Sequence, residues 1–424
     1  MVDLNGLLET VERSRVNPIM LPARDAPNLE FSLDEYGLRY AAATGLMRQL
    51  NLDALVLVQP NTIRYMSGLQ TWLWILPPLL PTAVIVTQDP GQAALVATVV
   101  EKGGVEATSW MSPSLYELDN DPIAAIVGAL ADRGLDTGRL GFELGLGQRP
   151  NLSPADHQRL VASLPGAEIV DVALPIWAMR ALKSADEISR LREAVRLSEI
   201  GYMAALDALK PGITEAELTR IAAASMLAAG ARPSVTPMTL IFLAGPERYR
   251  QVVQPASDRP IGAGEQVWLD GGCSVEGYRA DFIRSGVIGR LSDSAEHYYE
   301  VAVQALDAAV EALGPGRKLG DSWSAAQTCF DDAGVGEYTL IPGQIGHSIG
   351  LDHWELPLIG KPGSEQGEVI ARPGMVLCVE PTIVGMDGDD EWRSGLFTAE
   401  DQVVVTESGV EVLTVQIPRT LVRR

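Results

Sequence analysis

Asp270 and Asp281 flank a glycine-bearing turn, and His347 lies in the run Gly346-His347-Ser348-Ile349-Gly350. Glu380 ends one apolar run and Glu400 opens another. Four carboxylates and one imidazole make an oxygen-rich ligand set, which suits a pair of divalent cations better than one tetrahedral zinc. Taken singly, each residue has an ordinary reading. An aspartate at a strand end is commonly a turn residue, a glutamate before a strand is commonly solvated, and a histidine between glycines commonly belongs to a loop. As a set, in these contexts, they read as a metal centre.

The elements that must carry them are legible. The run Val267-Trp268-Leu269-Asp270 reads as a strand end, Gly271, Gly272 and Gly277 permit a turn, and residues 278–288 return as a second strand. Such a hairpin brings Asp270 and Asp281 together, and two adjacent carboxylates repel unless a cation lies between them. Alternation along 374–381 puts Cys378 and Glu380 on one face of a strand. Glu400 starts a strand whose apolar tail, Val403-Val404-Val405, belongs in a core. A charge opening a buried strand needs a partner. Cys273 and Cys378 stand near ligand-type residues and read as buried, inert thiols.

Composition narrows the function. A chain of 424 residues favours two domains. Its hydrophobic fraction of 46% supports substantial cores. A net charge of -22 opposes binding to a phosphate backbone, so no nucleic-acid partner is expected. Residues 1–15 lack the basic start and apolar core of a signal peptide. The most apolar stretch, 72–86, is broken by Pro77, Pro78 and Pro81, so no membrane partner is expected either. Three cysteines do not suggest a disulfide framework, and a cytoplasmic protein is the simplest expectation.

Residues 36–50 have helical spacing, and 54–58, 83–86, 94–99, 140–143 and 169–172 read as strands. Helices are expected over 122–133 and 154–164, and a turn over 61–68. Strands alternating with helices predict an α/β domain with a largely buried sheet over 1–178. The remainder, 179–424, opens on a long helix whose Ser184 and Glu187 have capping-box spacing. It then contains an echo. A helix, Pro211-Gly212, a helix and Gly230 are repeated as a helix, Pro315-Gly316, a helix and Gly334. The expected fold is α+β and pseudo-symmetric, with helices covering one antiparallel sheet.

These residues carry a resemblance. Asp270-Gly271, the run Gly277-Tyr278-Arg279-Ala280-Asp281 with Arg284, the run Gly346 to Leu351, Pro373-Gly374-Met375-Val376 with Glu380-Pro381, and Glu400-Asp401 look like the pita-bread metalloenzymes. That family includes prolidase, proline and methionine aminopeptidases, and creatinase. Upstream, 52–58 and 60–68 resemble the creatinase-type N-terminal domain, and 179–187 resembles the family's interdomain junction. The resemblance implies two divalent metal ions (Mn, Fe, Co or Zn) held by Asp270, Asp281, His347, Glu380 and Glu400, with Asp281 and Glu400 bridging. It also implies proton transfer by Glu380, a small-molecule or dipeptide substrate and a homodimer. The apolar segment 70–81, with Trp72 and Trp74, is a candidate to reach a neighbouring subunit.

The chain departs from the proline-specific pattern. Segment 245–251 lacks the histidine expected upstream of the first ligand. Trp354 stands where another is expected, His353 lies one place early, and Thr398 replaces an arginine before Glu400. Tryptophan neither accepts a proton nor ligates metal. His353 is therefore a candidate catalytic group and Trp354 a candidate pocket wall. Arg248, Arg250 and Arg393 are candidates to hold a substrate carboxylate. The expected function is a dinuclear metallohydrolase that cleaves a C–N bond of an Xaa-Pro or similar peptide. Two alternatives stand: a non-peptidase member of the fold (creatinase-like, ectoine-hydrolase-like or dimethylsulfoniopropionate-lyase-like), and a catalytically silent binding protein.

Overall fold

The computed structural model describes residues 3–22, 24–232, 238–384 and 395–424. The chain divides into two compact units, Met1–Leu182 and Lys183–Arg424. Among the described residues no helix is long and apolar enough to cross a membrane.

The first unit is built on a six-stranded mixed sheet. Its order is Pro113–Tyr116, Ala94–Thr98, Ala83–Thr87, Ala54–Leu57, Arg139–Phe142, Glu168–Asp171. The middle pairings between 54–57, 83–87 and 94–98 are antiparallel, and the outer ones are parallel. The three central strands are buried along their whole length, which explains why their sequences are continuous apolar runs without alternation. The turn expected over 61–68 is instead a helix, Pro60–Ser67, closed by Gly68 at φ 82°. Proline at its first position and glycine just beyond its end are helix punctuation. Glu143 completes it, because its carboxylate accepts from the backbone N–H of Val58 and Gln59 ahead of the first turn.

The second unit bears out the echo at the level of single hydrogen bonds. Helix Ala185–Asp207 opens on the Ser184–Glu187 capping box. It leads through Pro211-Gly212 to helix Glu215–Ala228, whose box is Thr214–Glu217. Helix Asp293–Ala312 leads likewise to Leu319–Asp332, where Asp321 alone reaches back, its carboxylate accepting from Lys318 N–H at 3.2 Å. Gly212 N–H donates to Ile261 O and Gly316 N–H to Ala371 O, both at 2.9 Å. Thr214 bridges Pro260 where Lys318 bridges Ile370. Ala231 closes its helix onto Met226 O as Val335 closes onto Phe330 O. The relation reaches the strands: Asp270 pairs with Ile241, and Glu380 N–H donates to Ile345 O. Asp270 and Glu380 thus occupy equivalent positions in the two halves.

One expectation is corrected. Among the described residues the halves carry two larger sheets, not one, beside two two-stranded ladders. The first runs Val422–Arg423, Arg284–Val287, Gln266–Gly272, Thr239–Ala244 and includes a parallel pair. The second runs Glu355–Gly360, Gln344–Ser348, Val376–Val379, Asp401–Val405, Val410–Val412. Where they meet, Glu400 N–H donates to Ile283 O at 3.2 Å and the ladder then stops. The buried Arg284 guanidinium takes the neighbouring acceptors, donating to Glu400 O at 2.6 Å, Ile283 O at 2.9 Å and Asp401 Oδ1 at 2.8 Å.

Candidate metal centre

The return strand expected over 278–288 is split, and the split places Asp281. Ser274–Val275 and Tyr278–Arg279 form a short hairpin around Glu276 and Gly277, at φ 48° and 81°. Two successive positive φ values define the turn whose twist matches a hairpin. The chain leaves strand geometry at 280–283. There Asp281 N–H donates to the side chain of Gln402 at 3.1 Å instead of to a strand. This break lets Asp281 turn toward the second sheet while Asp270 stays on Gln266–Gly272.

His347 is set by its neighbours. Its Nδ1 lies 3.0 Å from Ser348 O, a contact that requires the proton on Nδ1 and turns Nε2 toward the carboxylates. Nε2 lies 3.5 Å from Asp281 Oδ2 and 3.6 Å from Glu380 Oε1. Glu380 follows strand Val376–Val379, and Glu400 precedes Asp401–Val405. Asp281, His347 and Glu400 are 3%, 1% and 1% exposed, so water does not screen their charges. Asp270 is partly buried beside them.

The electrostatics are those of crowded acids. Burial, then the charges of Asp281 and Glu380, push Asp270 well above the carboxylate range. Glu400 is pushed well above it in the same way, by burial and by Asp281, Glu380 and Asp270. Burial raises Glu380 to about 7, Asp281 adding to the rise and His347 opposing it. Burial also works against ionised Asp281, but His353 and His347 outweigh it and hold that carboxyl below its ordinary value. His347 is raised: burial opposes its charge, and Asp281 and Glu380 more than offset the penalty.

Does this set fit a cation? Asp281 Oδ1, Glu380 Oε1 and Glu400 Oε1 are buried with no hydrogen-bond partner. Buried acceptors are rarely left so, and a divalent ion satisfies several at once. Asp281, His347, Cys378 and Glu400 offer ligand atoms that all lie within 4.8 Å of one another. The residues fit.

His353 Nε2 lies 3.0 Å from Asp281 Oδ2, and Trp354 stacks on His347 with ring centroids 4.6 Å apart and planes at 24°. Trp354 is 46% exposed, so one face of its ring covers the imidazole while the rest meets solvent. Both residues are therefore next to the centre. Arg248 is not free to hold a substrate: its buried guanidinium is bound to Glu215, 3.1 Å away. Arg250 is exposed beyond the short helix Pro246–Tyr249. Arg393 lies outside the described residues.

Two features were not read from the sequence. Lys183 Nζ donates to Ser348 Oγ at 2.9 Å and to Glu355 Oε2 at 3.0 Å, all of it buried. Glu355 in turn accepts from Asp352 N–H. One ammonium thus ties both ends of the loop that carries His353 and Trp354. A Cβ on Gly350 would lie 2.8 Å from the Glu355 carboxylate, so only glycine leaves that carboxylate its place. The second feature is Cys378, read as an inert thiol, whose sulfur belongs to the tight ligand group. Period-two alternation already put it on the face of Glu380, and that signal was available.

Comparison with known proteins agrees with this architecture. The model of metallopeptidase family M24 matches residues 189–407, and that of the creatinase/prolidase N-terminal domain matches 39–182. An uncharacterized peptidase of Bacillus subtilis (strain 168), YqhT, is 26% identical over 371 residues, 87% of this chain and 95% of that protein. The solved dipeptidase PepE from Mycobacterium ulcerans is 26% identical with a TM-score of 0.77, covering 93% of this chain and 99% of that one. The prolidase from Pyrococcus horikoshii OT3 shares the fold at 23% identity, with a TM-score of 0.74 and coverage of 90% and 99%. The expected pita-bread resemblance holds in both units: the chain belongs to metallopeptidase family M24, with a creatinase/prolidase N-terminal domain preceding the metallopeptidase portion.

Proposed function

We propose that this protein is a dinuclear metal-dependent hydrolase of short peptides, with an Xaa-Pro-type C–N bond as its target. The observation that carries the proposal is the set of buried, unpartnered oxygens on Asp281, Glu380 and Glu400 around the Nε2 of His347. Asp270, Asp281, His347, Glu380 and Glu400 would hold two divalent ions, drawn from Mn, Fe, Co or Zn. Bound there, such ions acidify water and polarise a substrate carbonyl.

The chain's own residues supply the rest. Glu380, at the end of strand Val376–Val379 beside His347, is placed to carry a proton from the attacking water to the leaving nitrogen. His353 holds Asp281 through Nε2, 3.0 Å from that carboxylate, and its buried Nδ1 is the nitrogen left without a partner beside the centre. Trp354 walls the site beside His347. Arg250 and Arg393 are the proposed anchors for a substrate carboxylate. At net charge -22 the protein as a whole does not attract an anion, so individual cations would have to do so.

A second reading rests on Trp354. An aromatic face beside the ligand histidine suits a cationic or ring-bearing substrate, which favours a non-peptidase C–N hydrolase of the same fold. One assay separates the two: metal-loaded protein against a panel of Xaa-Pro and proline-free dipeptides. Turnover confined to Xaa-Pro members supports the first reading. Metal binding with no dipeptide turnover removes it and leaves the second.

A further inference from the structure

Three adjacent strands present side chains to the centre in a row. His347 and Cys378 are direct partners across Gln344–Ser348 and Val376–Val379, so their side chains leave the sheet on one face. Cys378 is in turn the direct partner of Gln402. Glu400 lies two residues before Gln402, on that same face. The middle member of the row is a thiol. It is fully buried, 3.6 Å from the carbonyl oxygen of Asp281, and within 4.8 Å of the ligand atoms of Asp281, His347 and Glu400. A tetrahedral ion with metal–ligand bonds of about 2.0–2.3 Å sets its ligands roughly 3.3–3.8 Å apart, so a small contraction of this group suffices. An independent feature points to the same place: Asp281 Oδ1 and Glu400 Oε1 are buried and unpartnered. The other thiols are elsewhere. Cys273 faces Ser198 on helix Ala185–Asp207, and Cys329 lies on helix Leu319–Asp332.

We propose that Cys378 is itself a metal ligand, so that one ion of the centre is held by Asp281, His347, Cys378 and Glu400. The inference rests on the metal-dependent reading above and deepens it. Binding replaces the S–H bond with a sulfur–metal bond, and the proton leaves to solvent. A thiolate in an oxygen-rich site shifts preference from Mn toward borderline-soft ions such as Zn, Co and Fe.

Cobalt(II) is the probe, because it reports thiolate ligation in its own spectrum, independently of turnover. The full-length protein is titrated with cobalt(II), alongside Cys378→Ser and a Cys273→Ala/Cys329→Ser control. Expected are visible ligand-field bands in all three. A near-ultraviolet sulfur-to-cobalt band is expected in the wild type and the control only, with cobalt bound at least about tenfold more weakly by Cys378→Ser. Visible bands without the near-ultraviolet band in the wild type overturn the inference and leave the metal reading standing. No visible bands in the wild type overturn both. The wild-type spectrum decides even if the Cys378→Ser chain fails to fold.

Discussion

Glu380 shows what single residues contribute. Its carboxyl is pushed up to about 7, chiefly by burial, so the folded protein holds a proton that the unfolded chain has already released. Stability from such a group is complete below the unfolded value of about 4.3, and it is lost as pH climbs toward about 7. In metal-free protein, Glu380→Gln removes this loss. The melting temperature of the variant should therefore gain on the wild type steadily between about pH 4.5 and 7, read by calorimetry in chelator. A difference constant across that window would contradict the assignment. With metal restored the order should invert, since the glutamine supplies no charge to the cations and cannot move the proton. Turnover by the variant should fall by at least about 100-fold.

The five ligand-type residues were legible because their chemistry and their glycine and strand contexts could be read together. The neighbours that set them were not. Lys183 and Glu355 are far apart in sequence and meet only in the folded unit. Arg284 could be noted within a motif, but nothing in its neighbours says that its guanidinium donates to Glu400 O. The nearness of Cys378 to Asp281, His347 and Glu400 could not be read, because alternation gives orientation and not distance.

At the scale of elements, the loop between Ser348 and Glu355 depends on a buried ion pair. Removing one partner strands the other charge in the core, so Lys183→Met should cost about 3–5 kcal/mol in urea unfolding. The double variant Lys183→Met/Glu355→Leu leaves no orphan charge and should lie within about 1 kcal/mol of wild type. A double variant as unstable as the single one would mean that the pair supplies net stability. If the pair chiefly places His353 and Trp354, the double variant should also keep its melting temperature while kcat/KM falls about tenfold or more. Ser184→Ala should cost roughly 1 kcal/mol through the capping box of the long helix.

The elements themselves were mostly read correctly where the apolar pattern was long. Strands 54–57 and 83–87 and the helices of the echo lie where periodicity put them. The short helix Pro60–Ser67 was missed because its eight residues offer barely two turns of pattern, although its proline and glycine mark both ends. A division into two larger sheets has no local signature at all, since it depends on how residues far apart in the chain meet, as Arg284 and Glu400 do.

On the scale of the whole molecule, the repeat matters most. Equivalent turns in the two halves bring Asp270 and Glu380 to matching places, so a near-symmetric scaffold brings one carboxylate from each half to the centre. His347, Asp281 and Cys378 break that symmetry, which is where chemistry specific to one side can arise. The first unit carries exposed apolar side chains at Trp72, Ile75, Leu76 and Leu79, between 54% and 77% exposed. The homodimer that the resemblance implies would cover them. Sedimentation equilibrium of Trp72→Ala/Leu79→Ser should show a shift from dimer to monomer, and an unchanged mass would assign the segment no intersubunit role. The charge of -22 adds self-repulsion that salt screens, so dimerisation should strengthen with ionic strength.

The most direct measurement is metal content after exhaustive dialysis, wild type against Asp281→Asn/Glu400→Gln. The account predicts roughly two divalent ions per wild-type chain and close to none in the variant, with its circular dichroism intact. A wild-type chain without bound metal, or a variant retaining the full complement, would contradict it.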